Sequence, residues 1–125
     1  ILKTDMVHQL MLGLIHNKKD GIKMIDEKLK KAILEKQGNL LYTTLAEECS
    51  EIIQACSKIV RKKYYNQDFD VDNLLEEICD VELNLELIKD QLTREKSLNL
   101  SRQDIDKKIE NWTKIKNEKV SKIFL

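Results

Sequence analysis

Read for its apolar positions, the chain breaks into five stretches with the three-to-four-residue spacing of an amphipathic helix. Residues about 4–16 place Met6, Val7, Leu10 and Leu14 on one face, and residues about 20–37 place Ile22, Ile25, Leu29, Ala32 and Ile33. A third stretch, about 44–63, has a stripe of Leu45, Cys49, Ile52 and Cys56, and a fourth, about 73–93, one of Leu74, Ile78, Val81 and Leu85. The fifth, about 102–123, carries Ile105, Ile109, Trp112, Val120 and Ile123, and Ser101 with Asp104 three residues later forms an N-terminal capping signal. Turns are expected at His16–Gly21, where a continuous helix is the alternative, and near Gln37–Asn39, Asn66–Asp72 and Ser97–Asn99. Few stretches alternate with a period of two, so strands are not expected.

Composition sharpens this into an all-α helical bundle of about five helices in a single domain spanning 1–125. There is no proline to break a helix and there are three glycines, while Leu, Ile, Lys and Glu dominate. The charges balance, with 22 basic and 22 acidic residues. That balance argues against a nucleic-acid polymer or a membrane surface as partner, since both call for a basic excess. No apolar run approaches a membrane span and no secretory signal is visible, so a cytoplasmic protein is expected. The first residue is Ile1, not methionine, so a truncated or disordered N-terminus is expected. Cys49, Cys56 and Cys79 lack the CxxC spacing and fall at or near expected core positions, as buried reduced thiols do.

Two octapeptides repeat one another across the third and fourth helices: LAEECSEI at Leu45–Ile52 and LLEEICDV at Leu74–Val81. At about 100° per residue, Glu48 and Glu51 lie on one shoulder of the third helix's stripe, and Glu77 and Asp80 on the matching shoulder of the fourth. Each pair is spaced i, i+3, so its carboxylates stack on neighbouring turns. If the helices pack antiparallel, four carboxylates meet at the edge of the core. Such a cluster repels itself unless a cation sits within it, and oxygen donors without His or Cys favour Mg²⁺, with Mn²⁺ as substitute. The alternative is a solvated acidic face.

Glu47 and Glu76 have a structural alternative, because Thr44 and Asn73 stand three residues before them in the pattern of a reciprocal helix cap. Lys58 and Lys62 fall on the shoulder of Glu48 and Glu51, two to three turns further along, while Arg61 points more outward. The bland reading of all three is a basic helix end facing the C-terminal dipole. His8 and His16 read as surface or packing residues, Trp112 as core or subunit interface, and Tyr64 and Tyr65 as packing or turn residues rather than base-stacking platforms.

The run Glu47-Glu48-x-x-Glu51, 25 intervening residues, then Glu77-x-x-Asp80 resembles the EExxE…ExxD signature of the all-α nucleoside triphosphate pyrophosphatases. That superfamily includes MazG, the dimeric dUTPases and the dCTP pyrophosphatases. The stretch LAEECSEIIQACSKIVR is similar to the compact MazG-like proteins of bacteria and phages, and the likeness covers about Leu41–Ile88. It implies Mg²⁺-dependent cleavage of a nucleoside triphosphate between the α and β phosphates. It also implies Glu48, Glu51, Glu77 and Asp80 as metal ligands, and Glu47 as the acid that orients the attacking water. Ser50 stands where many members have glycine or alanine, and Lys62–Asn66 replaces a glycine common after the Arg. Under this resemblance Lys58 and Lys62 would meet the outer phosphates of the triphosphate, and Arg61 the phosphates or a neighbouring subunit. Asn84, one turn beyond Asp80 where relatives vary, is a further substrate-binding candidate that leaves base recognition open. Assembly into a homodimer or homotetramer is expected both from the resemblance and from a small bundle with several apolar stripes. Two rivals remain at this level: a helical scaffolding protein with a solvated acidic face, and a metal–nucleotide sensor without turnover.

Overall fold

The computed structural model describes residues 25–125. It contains four helices and no strand among them: α1 (Glu27–Gln37), α2 (Leu40–Tyr64), α3 (Asp72–Arg94) and α4 (Arg102–Phe124). The all-α expectation therefore holds. The first of the five expected segments, with His8 and His16, lies outside the described residues. None of the four helices is long and apolar enough to cross a membrane.

Each boundary has a local cause. The Asp26 carboxylate accepts hydrogen bonds from the backbone N–H groups of Lys28 and Leu29, which opens α1. Gly38 closes it with φ +49°, a left-handed conformation natural to glycine, and its N–H donates to the Leu34 carbonyl at 3.0 Å. The helix that follows starts at Leu40, five residues earlier than a cap at Thr44 would set. Thr44 is instead a buried residue in the second turn, its hydroxyl donating to the Leu40 carbonyl at 3.1 Å. Asn73 is likewise inside α3. The Asp70 carboxylate, which accepts from the Asp72 N–H at 2.9 Å, orders the entry. A reciprocal cap is thus not the role of Glu47 or Glu76. The one at α4 is present, with the Ser101 hydroxyl accepting from the Asp104 N–H and the Asp104 carboxylate accepting from the Ser101 N–H.

The chain divides between Gln91 and Leu92 into two compact units. In the first, the core gathers Ile25, Ile33 and Leu34 of the α1 region, Leu41 at the start of α2, and Leu83 and Leu87 of α3. Lys30 of α1 and Asp90 of α3 form a half-buried ion pair at 2.9 Å that fixes the register of those two helices. In the second unit α4 buries Ile105, whereas Ile109, Trp112, Val120 and Ile123 of its expected stripe are exposed.

The expected stripes of α2 and α3 are not the buried ones. The α2 helix buries Leu41, Thr44, Glu48 and Ala55, leaving Leu45, Cys49 and Ile52 half-buried and Cys56 exposed. On α3, Asp80, Leu83, Asn84, Leu87 and Gln91 are buried, while Leu74, Ile78 and Val81 are half-buried and Leu85 exposed. The three cysteines are free thiols, as expected, but none is fully buried. Both helices are therefore turned so that their acids, rather than their longest aliphatic stripes, face inward.

Nothing lies within 4 Å of where a Cβ at Gly38 would project, so Gly38→Ala costs backbone strain alone. Chemical denaturation should register a loss of about 1–2 kcal/mol with unchanged helix content.

Candidate metal centre

The register of α2 against α3 decides what the acids do. The two run antiparallel, with Glu48 and Glu51 beside Asp80 and Glu77, and Lys58 and Lys62 further along beside Asn73 and Leu74. One carboxylate oxygen from each of Glu48, Glu51, Glu77 and Asp80 lies within 4.8 Å of those of the other three. The expected convergence is present. It is deeper than an edge of the core: Glu48 is 2% exposed and Asp80 1%, with Glu77 half-buried and Glu51 exposed at the mouth.

Four carboxylates at this spacing cannot all stay ionised comfortably. Burial, followed by the charges of Asp80 and Glu51, pushes the Glu48 carboxyl up to about 8. Burial and a hydrogen bond with Glu51, with the Glu51 and Asp80 charges behind them, push Glu77 up to about 7. Oε2 of Glu48 and Oε2 of Glu77 are buried with no hydrogen-bond partner among the described residues. No Lys or Arg makes an ion pair with either acid among the salt bridges of the described residues. These oxygens are what a bound cation would satisfy, so the residues fit a metal ion. The donors are all hard oxygens. Cys79, next to Asp80, keeps its proton more firmly than usual because of burial and the neighbouring acid, which makes it a poor soft ligand.

Beyond Glu51 and Glu77 an open cleft of about 890 Å³ continues along α2, lined by Gln54, Ser57, Lys58, Arg61 and Asn73. A narrower hollow of about 160 Å³ adjoins it, sharing Lys58 and Asn73 and adding Lys62, Phe69 and Asp70. The structure thus places Lys58 and Arg61 in the acid-bearing cleft and Lys62 in its neighbour. Glu47 is exposed, one residue before the cluster. Asn84 lies elsewhere: it is buried one turn beyond Asp80, its Nδ2 donating to the Asp80 carbonyl at 2.8 Å, and it lines neither cleft. Asn73, Gln54 and Ser57 are cleft residues that sequence reasoning missed. Asn73 sits one turn before Glu77, a spacing that could have indicated it.

No protein-family model, curated protein or solved structure matches the chain. The architecture is that of a small all-helical protein with an acidic cluster able to hold a metal ion, compatible with a MazG-like fold.

A carboxyl whose folded pKa lies above its unfolded value of 4.5 binds more protons folded than unfolded. It therefore favours the fold at low pH and loses that contribution as pH climbs toward about 8. Metal-free protein should melt at falling temperature between about pH 5 and pH 8, with a shallower fall for Glu48→Gln. A divalent cation should raise the wild-type melting temperature most at the upper end of that range and have little effect on Glu48→Gln.

Proposed function

We propose that the protein is a Mg²⁺-dependent nucleoside triphosphate pyrophosphohydrolase of MazG-like type, releasing a nucleoside monophosphate and pyrophosphate. The observation that carries this reading is one arrangement: four converging carboxylates, two of them buried, opening onto a cleft whose far side is cationic. An acid-only site suits a hard divalent ion, and a triphosphate is a ligand that needs both that ion and side-chain cations.

Glu48, Glu51, Glu77 and Asp80 would hold Mg²⁺, with Mn²⁺ as the substitute, and the ion would neutralise charge on the phosphate oxygens. Lys58 and Arg61, in the same cleft, meet the outer phosphates and stabilise the departing pyrophosphate, with Lys62 supporting from the adjoining hollow. Glu47 is the acid assigned to the attacking water. In hydrolysis the water oxygen bonds to the α-phosphorus, the bond to the α–β bridging oxygen breaks, and Glu47 takes a water proton. Asn84 then acts from behind the site, holding the backbone of the turn that carries Asp80 rather than touching the base. The nucleotide-pool role implied by this chemistry goes with a cytoplasmic location and with more than one copy in the working assembly.

The decisive assay measures phosphate products from a panel of ribo- and deoxyribonucleoside triphosphates with Mg²⁺. Pyrophosphate, not orthophosphate, is the expected product. Glu51→Gln and Asp80→Asn should each lower kcat by on the order of 10²-fold or more while leaving helix content unchanged. Wild-type turnover in both variants would remove the site assignment, and nucleotide binding without product would make the protein a sensor. Lys58→Ala should lower kcat/KM roughly 10- to 100-fold with cation-induced stabilisation intact, separating phosphate contact from metal binding.

A further inference from the structure

The 22 basic and 22 acidic residues balance over the whole chain but not along it. Residues 102–124, the span of α4, carry seven basic and four acidic side chains, so the rest of the chain is net acidic. From Trp112 onward four lysines stand against one acid, Glu118. The same helix has almost no cover. It buries Ile105, and every residue from Asp106 to Leu125 is exposed, Trp112 to 60% and Ile123 to 74%.

The exposed apolar residues are not scattered. At about 100° per residue, Ile109, Trp112, Ile115, Val120, Ile123 and Phe124 all fall in one half of the helix circumference. Lys108, Lys116 and Lys119 fall in that same half, with Lys116 between Ile109 and Ile123. From Lys107 on, no acid does. Glu110 and Glu118 belong to the other half, where Glu110 pairs with Lys114 at 3.6 Å. The face is apolar and cationic at once.

We infer that α4 is a docking helix for an anionic lipid surface, lying along the interface rather than crossing the bilayer. The mixture of residues selects that occupant. Two copies of this face laid together would set lysines against lysines with no acid to meet them. A protein groove closing over the apolar residues would have to bury Lys116 among them, at the cost of a desolvated charge. A nucleic acid would meet the lysines and leave the aliphatic and aromatic side chains in water. A bilayer surface takes both sets: the apolar side chains enter the boundary between headgroups and acyl chains, and the lysines extend to the anionic headgroups. Tryptophan is at home at that level, having an apolar ring system and one polar N–H.

The inference uses no residue of the acidic site and stands whether or not the protein is a hydrolase. Trp112 is the chain's one tryptophan, so its fluorescence reports on the face directly. The 125-residue chain mixed with vesicles of phosphatidylcholine and phosphatidylglycerol should sediment with them and shift its emission to shorter wavelength. Vesicles of phosphatidylcholine alone should bind roughly 10-fold more weakly or worse, and raising salt from about 0.1 to about 0.5 M should weaken binding to the anionic ones. Lys116→Glu with Lys119→Glu should cost on the order of 100-fold or more in vesicle affinity, and Ile115→Ser with Ile123→Ser on the order of 10-fold or more. All four side chains are exposed, so helix content in buffer should not change. The proposal is overturned by an emission that anionic vesicles leave unaltered, by equal binding to neutral vesicles, or by wild-type affinity in the lysine variant. It is also overturned by a DNA duplex that binds as tightly as the vesicles, or by a doubled mass that buries Trp112 without lipid.

Discussion

Glu48 and Asp80 are both almost fully buried and sit within reach of each other's charge, a constraint that the rest of the fold has to sustain. Desolvation and like-charge repulsion both oppose it, so the helices must be held in place by contacts elsewhere. Those contacts lie at one end of the first unit, where α1, the first turn of α2 and the second half of α3 form the aliphatic core. The Lys30–Asp90 pair adds a directional tie between α1 and α3. Local helix signals at Asp26, Gly38 and Asp70 set where each helix begins or ends. Packing then fixes how α2 and α3 are rotated. The acids come inward because that rotation is imposed on them.

A cost at one place becomes a capability at another. Carboxyls held above their ordinary pKa, with buried oxygens of Glu48 and Glu77 lacking a hydrogen-bond partner, form a site able to hold a cation. The order of charges along α2, acids first and bases two to three turns later, then grades the cleft from acidic to basic. A ligand that is itself a polyanion, bound through a metal at one end and side-chain cations at the other, matches that gradient. The same rotation that builds the site turns Ile53, Val60 and Leu75 toward solvent. The site and the exposure of these aliphatic side chains are two consequences of one packing decision.

The order of elements was readable from the sequence alone, because helix spacing, the absence of proline, and the Ser101–Asp104 cap are local properties of the chain. So was the pairing of Glu48 with Glu51 and of Glu77 with Asp80, since i, i+3 spacing places side chains on one face whatever surrounds them. The repeat across α2 and α3 also carried the convergence of all four, because matching phase on two antiparallel helices brings matching shoulders together. Which face of α2 and α3 turns inward was a different matter. Sequence periodicity favours Leu45, Cys49, Ile52 and Cys56 as the core stripe; in the structure Thr44, Glu48 and Ala55 are buried and Cys56 is not. Periodicity measures where apolar residues cluster, and it is silent on whether the chain's own core or another surface covers them. Thr44 and Asn73 likewise read as caps by spacing, yet a helix start is decided by the turn before it, at Gly38 and at Asp70. Asn84 needed the tertiary structure as well, since only packing reveals that it is buried behind Asp80 and away from both clefts. The sequence determined the helices and the grouping of their acids, because both depend on neighbours three or four residues apart. Tertiary structure decided helix rotation and burial, because those depend on residues distant in the chain.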